Sequence, residues 1–245
     1  MSPDQKATIV SQLQSQILRL QGHRPLSQAS LTNELGPLRD AFPGGSFPIG
    51  AVHEFLAGSA REHSAATTGF ISALLPSLLK TSGTCIWIGP SKKIFPVALK
   101  NFMLNPDHFI FVKASKDKDI LWAMEESLKC PAVNAVVCEL KQLDFTASRR
   151  LQLAVEKSHV TGFVIRTNYK TVGTTGCVSR WQISTLPSQP IEDLSGVGFP
   201  RWRVELLKNR LGRLGAWDVY CKKGQFMATV DSEMLHVNEG IRKIG

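Results

Sequence analysis

The chain has 245 residues, of which 43% are hydrophobic and 20% charged, and its formal net charge is +9. This balance is ordinary for a globular protein, and the length fits one large α/β domain. No apolar run approaches the roughly 20 residues that a membrane-spanning helix needs, and the N-terminus lacks the apolar core of a signal peptide. We therefore expect a cytoplasmic protein with no membrane partner.

The positive charge favours one of two interpretations. Either the protein binds an anionic partner, such as nucleic acid or an acidic protein surface, or its surface is basic without a specific partner. The charge is concentrated near the C-terminus, where seven basic and two acidic residues lie between Arg201 and Lys223.

Neither the cysteines nor the histidines are spaced as metal ligands. The five cysteines form no CxxC pair, so we expect reduced and mostly buried thiols. The six histidines are dispersed along the chain. We therefore predict neither a metal nor a cofactor.

The first segment is predicted to form a helix ahead of the main domain. Ser2 and Gln5 match a capping box, and Ile9, Leu13 and Ile17 recur on one apolar stripe. This helix either packs on the domain or docks on a partner. We divide the chain into an N-terminal helix and linker over 1–40, a core domain over 41–232 and a mobile tail over 233–245.

From residue 51 to residue 166, predicted strands and helices alternate, which indicates a mostly parallel sheet with helices on both faces. The run 133–138 is almost entirely apolar and suits a strand that is buried on both sides. Pro76 is expected to kink or break its helix. Strands are predicted over 51–56, 84–88, 108–113, 133–140 and 162–166, and helices over 64–80, 95–104, 118–129 and 145–158.

After residue 166 the pattern changes to short alternating segments that predict antiparallel strands. A stretch rich in Pro, Gly and Ser over 186–200 is predicted to be a loop. The C-terminal strands are predicted over 178–185, 202–207, 217–222 and 226–230.

The first strand, the following Gly-containing loop and the next helix occupy the place of a phosphate-binding loop. Such a loop needs a Gly-Lys pair before its Ser/Thr, because backbone N–H groups and the lysine hold the phosphates. Here Ala65-Ala66 stands in that place, and Glu62 adds a carboxylate near the anion. We therefore predict a degenerate phosphate loop that does not support ATP hydrolysis; the alternatives are weak nucleotide binding and a residual ATPase. Its residues are Gly58, Ser59, Arg61, Thr67 and Thr68.

The segment 44–55 resembles the approach to the phosphate loop in the RecA superfamily, and 84–88 and 133–139 resemble its next core strands. The resemblance implies a RecA-like fold with altered catalytic positions. Ser91 lies nearest the place of the catalytic glutamate, and Thr167 lies near that of the glutamine that senses the γ-phosphate. Glu139 takes the place of the aspartate that organises magnesium, which makes it a degenerate magnesium-site position.

The C-terminal block 201–210, followed by 215–219, resembles the ImuA family, as do 179–181 and the helix start 65–70. The resemblance covers roughly residues 40–230. It implies a RecA-like accessory protein without a functional ATPase, which acts in damage-induced (SOS) mutagenesis with RecA, an ImuB-like homologue of the Y-family polymerases and an error-prone DNA polymerase. The related SulA inhibitors, which bind the tubulin-like division protein, supply the alternative function.

Basic residues in the C-terminal half are the candidate contacts to partners or DNA. The Lys208-Asn209-Arg210 segment resembles one that reaches across RecA subunit interfaces, and cations two residues apart on a strand share one face. They engage a RecA subunit or form a solvated basic face. The candidates are Lys170, Arg180, Arg201, Arg203, Lys208, Arg210 and Arg213.

Tryptophans lie among these cations, at Trp181, Trp202 and Trp217. They either stack on unpaired bases of single-stranded DNA or pack against the sheet, with Trp217 in the core. The segment 169–176, rich in Gly and Thr, corresponds roughly to a DNA-facing loop of RecA and is either such a loop or a simple connector.

Overall fold

The structure is a computed structural model that describes residues 34–58, 61–79, 82–90, 95–191, 194–210 and 212–229. The predicted N-terminal helix, the predicted tail over 233–245, Ser59 and Ser91 lie outside the described residues.

The described part of the chain has nine strands: β1 (Val52–Gly58), β2 (Cys85–Gly89), β3 (Phe109–Lys113), β4 (Ala135–Leu140), β5 (Thr161–Thr167), β6 (Ser179–Ile191), β7 (Leu194–Asn209), β8 (Gly215–Lys222) and β9 (Gln225–Ala228). They form one mixed sheet in the order β3-β2-β4-β5-β1-β6-β7-β8-β9. The first six strands in this order pair in parallel, and β6, β7, β8 and β9 pair antiparallel. This confirms the predicted α/β class with antiparallel C-terminal strands. The helices are α1 (Arg61–Leu79), α2 (Asp117–Leu128) and α3 (Phe145–Ser158), with short 3-10 helices at Gly36–Ala41, Pro43–Gly45, Pro96–Phe102 and Pro106–His108.

The sheet separates two hydrophobic cores. On one face, α1 and the segment before β1 cover both halves of the sheet and form the larger, aromatic-rich core. On the other face, α2 and α3 cover the parallel half through residues such as Met124 and Leu151. Leu35 and Leu38, which lie in the predicted linker, are fully buried in the larger core.

Three sequence predictions of secondary structure need correction. The predicted helix over 95–104 is a 3-10 helix, which ends where Met103 adopts a left-handed conformation with φ 61°. Pro76 lies inside α1, which continues to Leu79, so the predicted break at this proline does not occur. The predicted loop over 186–200 belongs largely to β6 and β7, whose register pairs Gln189 with Phe199 across irregularities in the ladder. Those irregularities accommodate prolines that a regular ladder would exclude.

None of the described helices is both long enough and apolar enough to cross a membrane.

Candidate functional site

Strand β1 lies between β5 and β6 and is parallel to both. The chain must therefore return from the carboxyl end of β5 to the amino end of β6 across one face of the sheet. Such returns are usually helical, but residues 168–178 contain no helix. We call these eleven residues the crossover. Because the crossover lacks helical hydrogen bonds, its carbonyl groups need other donors.

Arginines from the two flanking strands supply the first of these donors. Arg166, at the end of β5, donates from Nη2 to the carbonyl oxygen of Thr171 at 2.9 Å. Arg180 of β6 donates from Nη2 to the carbonyl oxygen of Gly173 at 2.6 Å.

Lys208 of β7 holds the second half of the crossover. Its Nζ donates to the carbonyl oxygens of Thr175 at 2.6 Å and Cys177 at 2.8 Å. The carbonyl groups that bind the three cations belong to alternate residues, as expected for an extended chain that presents one edge to the sheet. Side-chain hydrogen bonds therefore hold the crossover at Thr171, Gly173, Thr175 and Cys177.

One buried carboxylate organises these cations. Glu54 of β1 accepts from Arg166 Nη1 at 2.9 Å through Oε1, and from Arg180 Nε at 2.8 Å through Oε2. The Thr175 hydroxyl donates to the same Oε2 at 2.9 Å. The side chains of Glu54 and Arg166 are 0% and 1% exposed. Buried charges of this kind must be paired, because an isolated charge has a large desolvation penalty.

The cluster holds more positive than negative charge. Arg166 and Arg180 contact Glu54, Lys208 binds the crossover carbonyls beside them, and the buried Nε of Arg166 has no hydrogen-bond partner among the described residues. Burial lowers the pKa of Lys208, and the nearby charges of Arg180 and Arg210 act in the same direction. The aligned carbonyl oxygens of the crossover supply the compensating negative dipoles.

The structure divides the predicted contact residues into two groups. Arg180 and Lys208 make contacts within the protein, since Arg180 donates to Glu54 and Lys208 donates to the Thr175 carbonyl oxygen. The other predicted contact residues are at least partly exposed: Lys170 on the crossover, Arg201 and Arg203 on β7, and Arg210 and Arg213 after β7.

Lys208 and Arg210 do not share a strand face, so that part of the prediction is wrong. Strand β7 ends at Asn209, and Arg210 lies beyond it. Lys208 is half-buried and its Nζ binds carbonyl groups of the crossover, whereas Arg210 is exposed.

The tryptophans are packed against the sheet. Trp181, Trp202 and Trp217 are 1%, 4% and 8% exposed, and all three belong to the core beneath α1. The Trp181 indole donates to the Ser179 hydroxyl at 2.6 Å. The packing alternative is therefore correct, and these rings are not available to stack on bases.

The described residues of the predicted phosphate loop lie in regular elements, since Gly58 ends strand β1 and α1 begins at Arg61. Thr67 is buried within α1, where its hydroxyl donates to the His63 carbonyl oxygen at 2.8 Å. Thr68 is half-buried in the same helix. In the described residues, this arrangement leaves the Thr67 hydroxyl bound to its own helix rather than facing a ligand.

The predicted magnesium-site position also lies in the protein interior. Glu139 is 2% exposed and accepts a hydrogen bond from the Trp87 indole at 3.3 Å. Gly89 lies beside it, since a Cβ on that glycine would be 3.6 Å from Glu139 Oε1. Among the described residues, no group of three or more His, Cys, Asp or Glu side chains is placed to hold a metal ion.

Sequence reasoning missed Glu54, Arg166 and Thr175. A signal was present, because Glu54 and Arg166 are charged residues inside predicted core strands, and a charged residue is almost never fully buried without a partner. Their pairing required the strand order that places β1 between β5 and β6.

The cysteines are unpaired, and of the five only Cys130 is exposed. This confirms mostly buried thiols. Burial raises the pKa of Cys177 to about 12 and that of Cys221 to about 11. Their reactive thiolate forms are therefore scarce near neutral pH.

No protein-family model matches the chain. Two curated proteins do, both called protein ImuA and both from Caulobacter vibrioides, one of strain NA1000 / CB15N and one of strain ATCC 19089 / CIP 103742 / CB 15. Each is 36% identical to this chain over 187 residues, covering 72% of this chain and 77% of the relative. At this identity and coverage, the chain belongs to the ImuA family.

Proposed function

We propose that this protein is a non-catalytic accessory subunit of the SOS mutagenesis complex, which carries out translesion synthesis. In this role it bridges RecA, DNA or both to an ImuB-like homologue of the Y-family polymerases, and through it to an error-prone DNA polymerase, in the cytoplasm. The observation that carries the proposal is the 36% identity with protein ImuA over most of both chains.

The geometry around α1 supports a role without ATP hydrolysis. The predicted phosphate loop has Ala65-Ala66 in the place of the Gly-Lys pair that holds phosphates. The hydroxyl of Thr67 is bound to its own helix, and the carboxylate of Glu139 is bound to Trp87. Isothermal titration with ATP and magnesium should give no heat of binding, and phosphate release should stay at the background rate. Saturable heat with phosphate release would reject this part of the proposal.

The basic C-terminal half supports a bridging role. Arg210 and Arg213 are exposed beyond the end of β7, and Lys170 is exposed on the crossover. Because the Arg180 and Lys208 side chains are bound inside the protein, we assign the partner contacts first to the exposed group. Long-range attraction from exposed cations speeds association with anionic surfaces.

An affinity pull-down tests the bridging role. Tagged full-length protein is recovered from DNA-damaged cells, treated with nuclease and analysed by mass spectrometry. Recovery of the ImuB-like protein or RecA supports the proposal. Recovery of the tubulin-like division protein without a repair protein would instead favour a SulA-like inhibitor. The charge reversal Arg210→Glu should weaken recovery, whereas the matched control Lys157→Glu, on exposed α3 surface, should not.

A further inference from the structure

The antiparallel half of the sheet has two different faces. One face packs under α1 through Trp202, Val204 and Val219. On the opposite face, the alternate residues of β7 and β8 are half-exposed. This second face continues from the cluster around Glu54, because Arg180 and Arg203 share it by the alternation of strands.

Two aromatic rings lie among the cations on this face. Phe199 and Tyr220 are half-exposed, and their ring centroids are 6.2 Å apart with planes inclined by 30°. Arg201 lies directly opposite Tyr220 in the ladder. Lys222 Nζ is 5.4 Å from the centroid of the Phe199 ring. We name the surface formed by Phe199, Arg201, Arg203, Tyr220 and Lys222 the open-face patch.

The patch has an excess of positive charge. Among the described residues, it carries three cations and one carboxylate, Asp218, whose Oδ1 is 3.4 Å from Arg203 Nη1. Glu205 lies at the far end of the face, where it accepts from Gln182 at 3.5 Å. In the part of this face that the structure describes, the end with the two rings is therefore the most basic.

We infer that the open-face patch binds single-stranded nucleic acid, with Tyr220 stacking on an unpaired base, Phe199 supporting that ring, and Arg201, Arg203 and Lys222 contacting phosphates. Unpaired bases expose ring faces to aromatic side chains while cations follow the backbone. A duplex would present phosphates to the patch but no exposed base faces, and an acidic peptide would present only carboxylates. This binding role rests on the proposed function, which brings the protein to DNA. It adds that the contact with DNA is direct and that it uses the open-face patch.

Fluorescence anisotropy with labelled oligothymidine of about 16 nucleotides tests the inference, since a single OB fold that binds single strands covers about 4–16 nucleotides. Tyr220→Leu should weaken binding about 5- to 100-fold through lost stacking. It should leave the slope of log affinity against log salt unchanged. The double change Arg201→Gln with Lys222→Gln should reduce that slope by about 1.4, since a single-strand phosphate contact contributes about 0.7.

A matched control removes the same charge elsewhere. Lys118 on α2 and Lys157 on α3 are exposed and lie on other elements. Lys118→Gln with Lys157→Gln should leave affinity and salt slope close to those of the wild type. Melting by circular dichroism establishes that each variant is folded, and Tyr220→Phe, which keeps the ring, should retain binding if Tyr220→Leu proves unstable.

Several outcomes would overturn the inference. These are absence of oligothymidine binding, equal affinity for a duplex of the same length, displacement by polyglutamate at equal charge concentration, or equal effects of the patch and control variants. The pull-down of repair proteins is independent of this assay. If repair proteins are recovered but the purified protein does not bind oligothymidine, the accessory role is retained and the assignment of the patch is wrong.

Discussion

Replacing Glu54 with glutamine should be the most damaging change for its size in the described part of the chain. Glu54→Gln keeps the shape of the side chain but removes the negative charge that faces Arg166 and Arg180. Removing one partner of a buried ion pair costs about 3–5 kcal/mol, because the remaining charge stays desolvated. For a chain of this size each kcal/mol lowers Tm by about 2–4 °C, so we expect a Tm about 6–20 °C lower.

Thermal melting by circular dichroism measures this effect, with Glu156→Gln as the control. Glu156 is an exposed partner of Arg149 at 3.6 Å, and pairs of that kind contribute about 0–1 kcal/mol. Hydrogen exchange adds a local readout, because the amides of Gly176 and Val178 are bound to Ser148 and Val52. Both amides should exchange faster in Glu54→Gln. Equal melting of the two variants would refute Glu54 as the organising group of the crossover.

Three further predictions follow from burial. Lys208→Met should destabilise the protein by about 1.5–3 kcal/mol in urea unfolding, because charged hydrogen bonds to two crossover carbonyl groups are lost. The control Arg210→Met should change the free energy of unfolding by less than about 0.5 kcal/mol. Equal effects of the two variants would contradict the different placement of the two cations. Because the pKa of Cys221 is raised, its stabilising contribution is complete below the thiol's ordinary pKa and is lost as pH rises toward about 11. Cys221→Ala should therefore make the alkaline loss of stability shallower by about 1.4 kcal/mol per pH unit. An unchanged slope in pH-dependent unfolding would contradict this. Trp122 is 66% exposed while the other four tryptophans are buried, so Trp122→Phe should remove most acrylamide quenching of fluorescence, and strong residual quenching would contradict the burial of Trp181.

The elements that the sequence predicted well are those whose ends carry local signals. Helix α3 has the predicted bounds, because Asp144 caps its start by accepting from the Ala147 N–H at 2.7 Å, and His159 ends it in a left-handed conformation with φ 62°. The parallel core strands were found because runs buried on both faces are almost entirely apolar.

The errors arise where tertiary pairing overrides local composition. The segment 186–200 has the composition of a loop, but much of it pairs within the β6–β7 hairpin. Likewise, Lys208 and Arg210 are equivalent by sequence, yet Lys208 is half-buried on β7 and Arg210 is exposed beyond the end of that strand. A pattern of residues along one chain does not contain the identity of the neighbouring strand, and that neighbour decides which charges are paired.

The same limit applies to the candidate site. The departures from the phosphate-loop pattern at Ala65-Ala66 are readable from the sequence, and so is the basic C-terminal half. The buried cluster around Glu54 depends on strands 112 positions apart in sequence and on a crossover without a helix. It therefore required the strand order, as did the pairing of Phe199 with Tyr220 on the open face.

The frequency of damage-induced mutation in the organism that carries the gene tests the proposed function most directly. Cells that lack the gene should lose most of the increase in mutants that follows DNA damage, and a plasmid copy of the wild-type gene should restore it. An unchanged mutation frequency in the deletion strain would contradict the accessory role in mutagenesis.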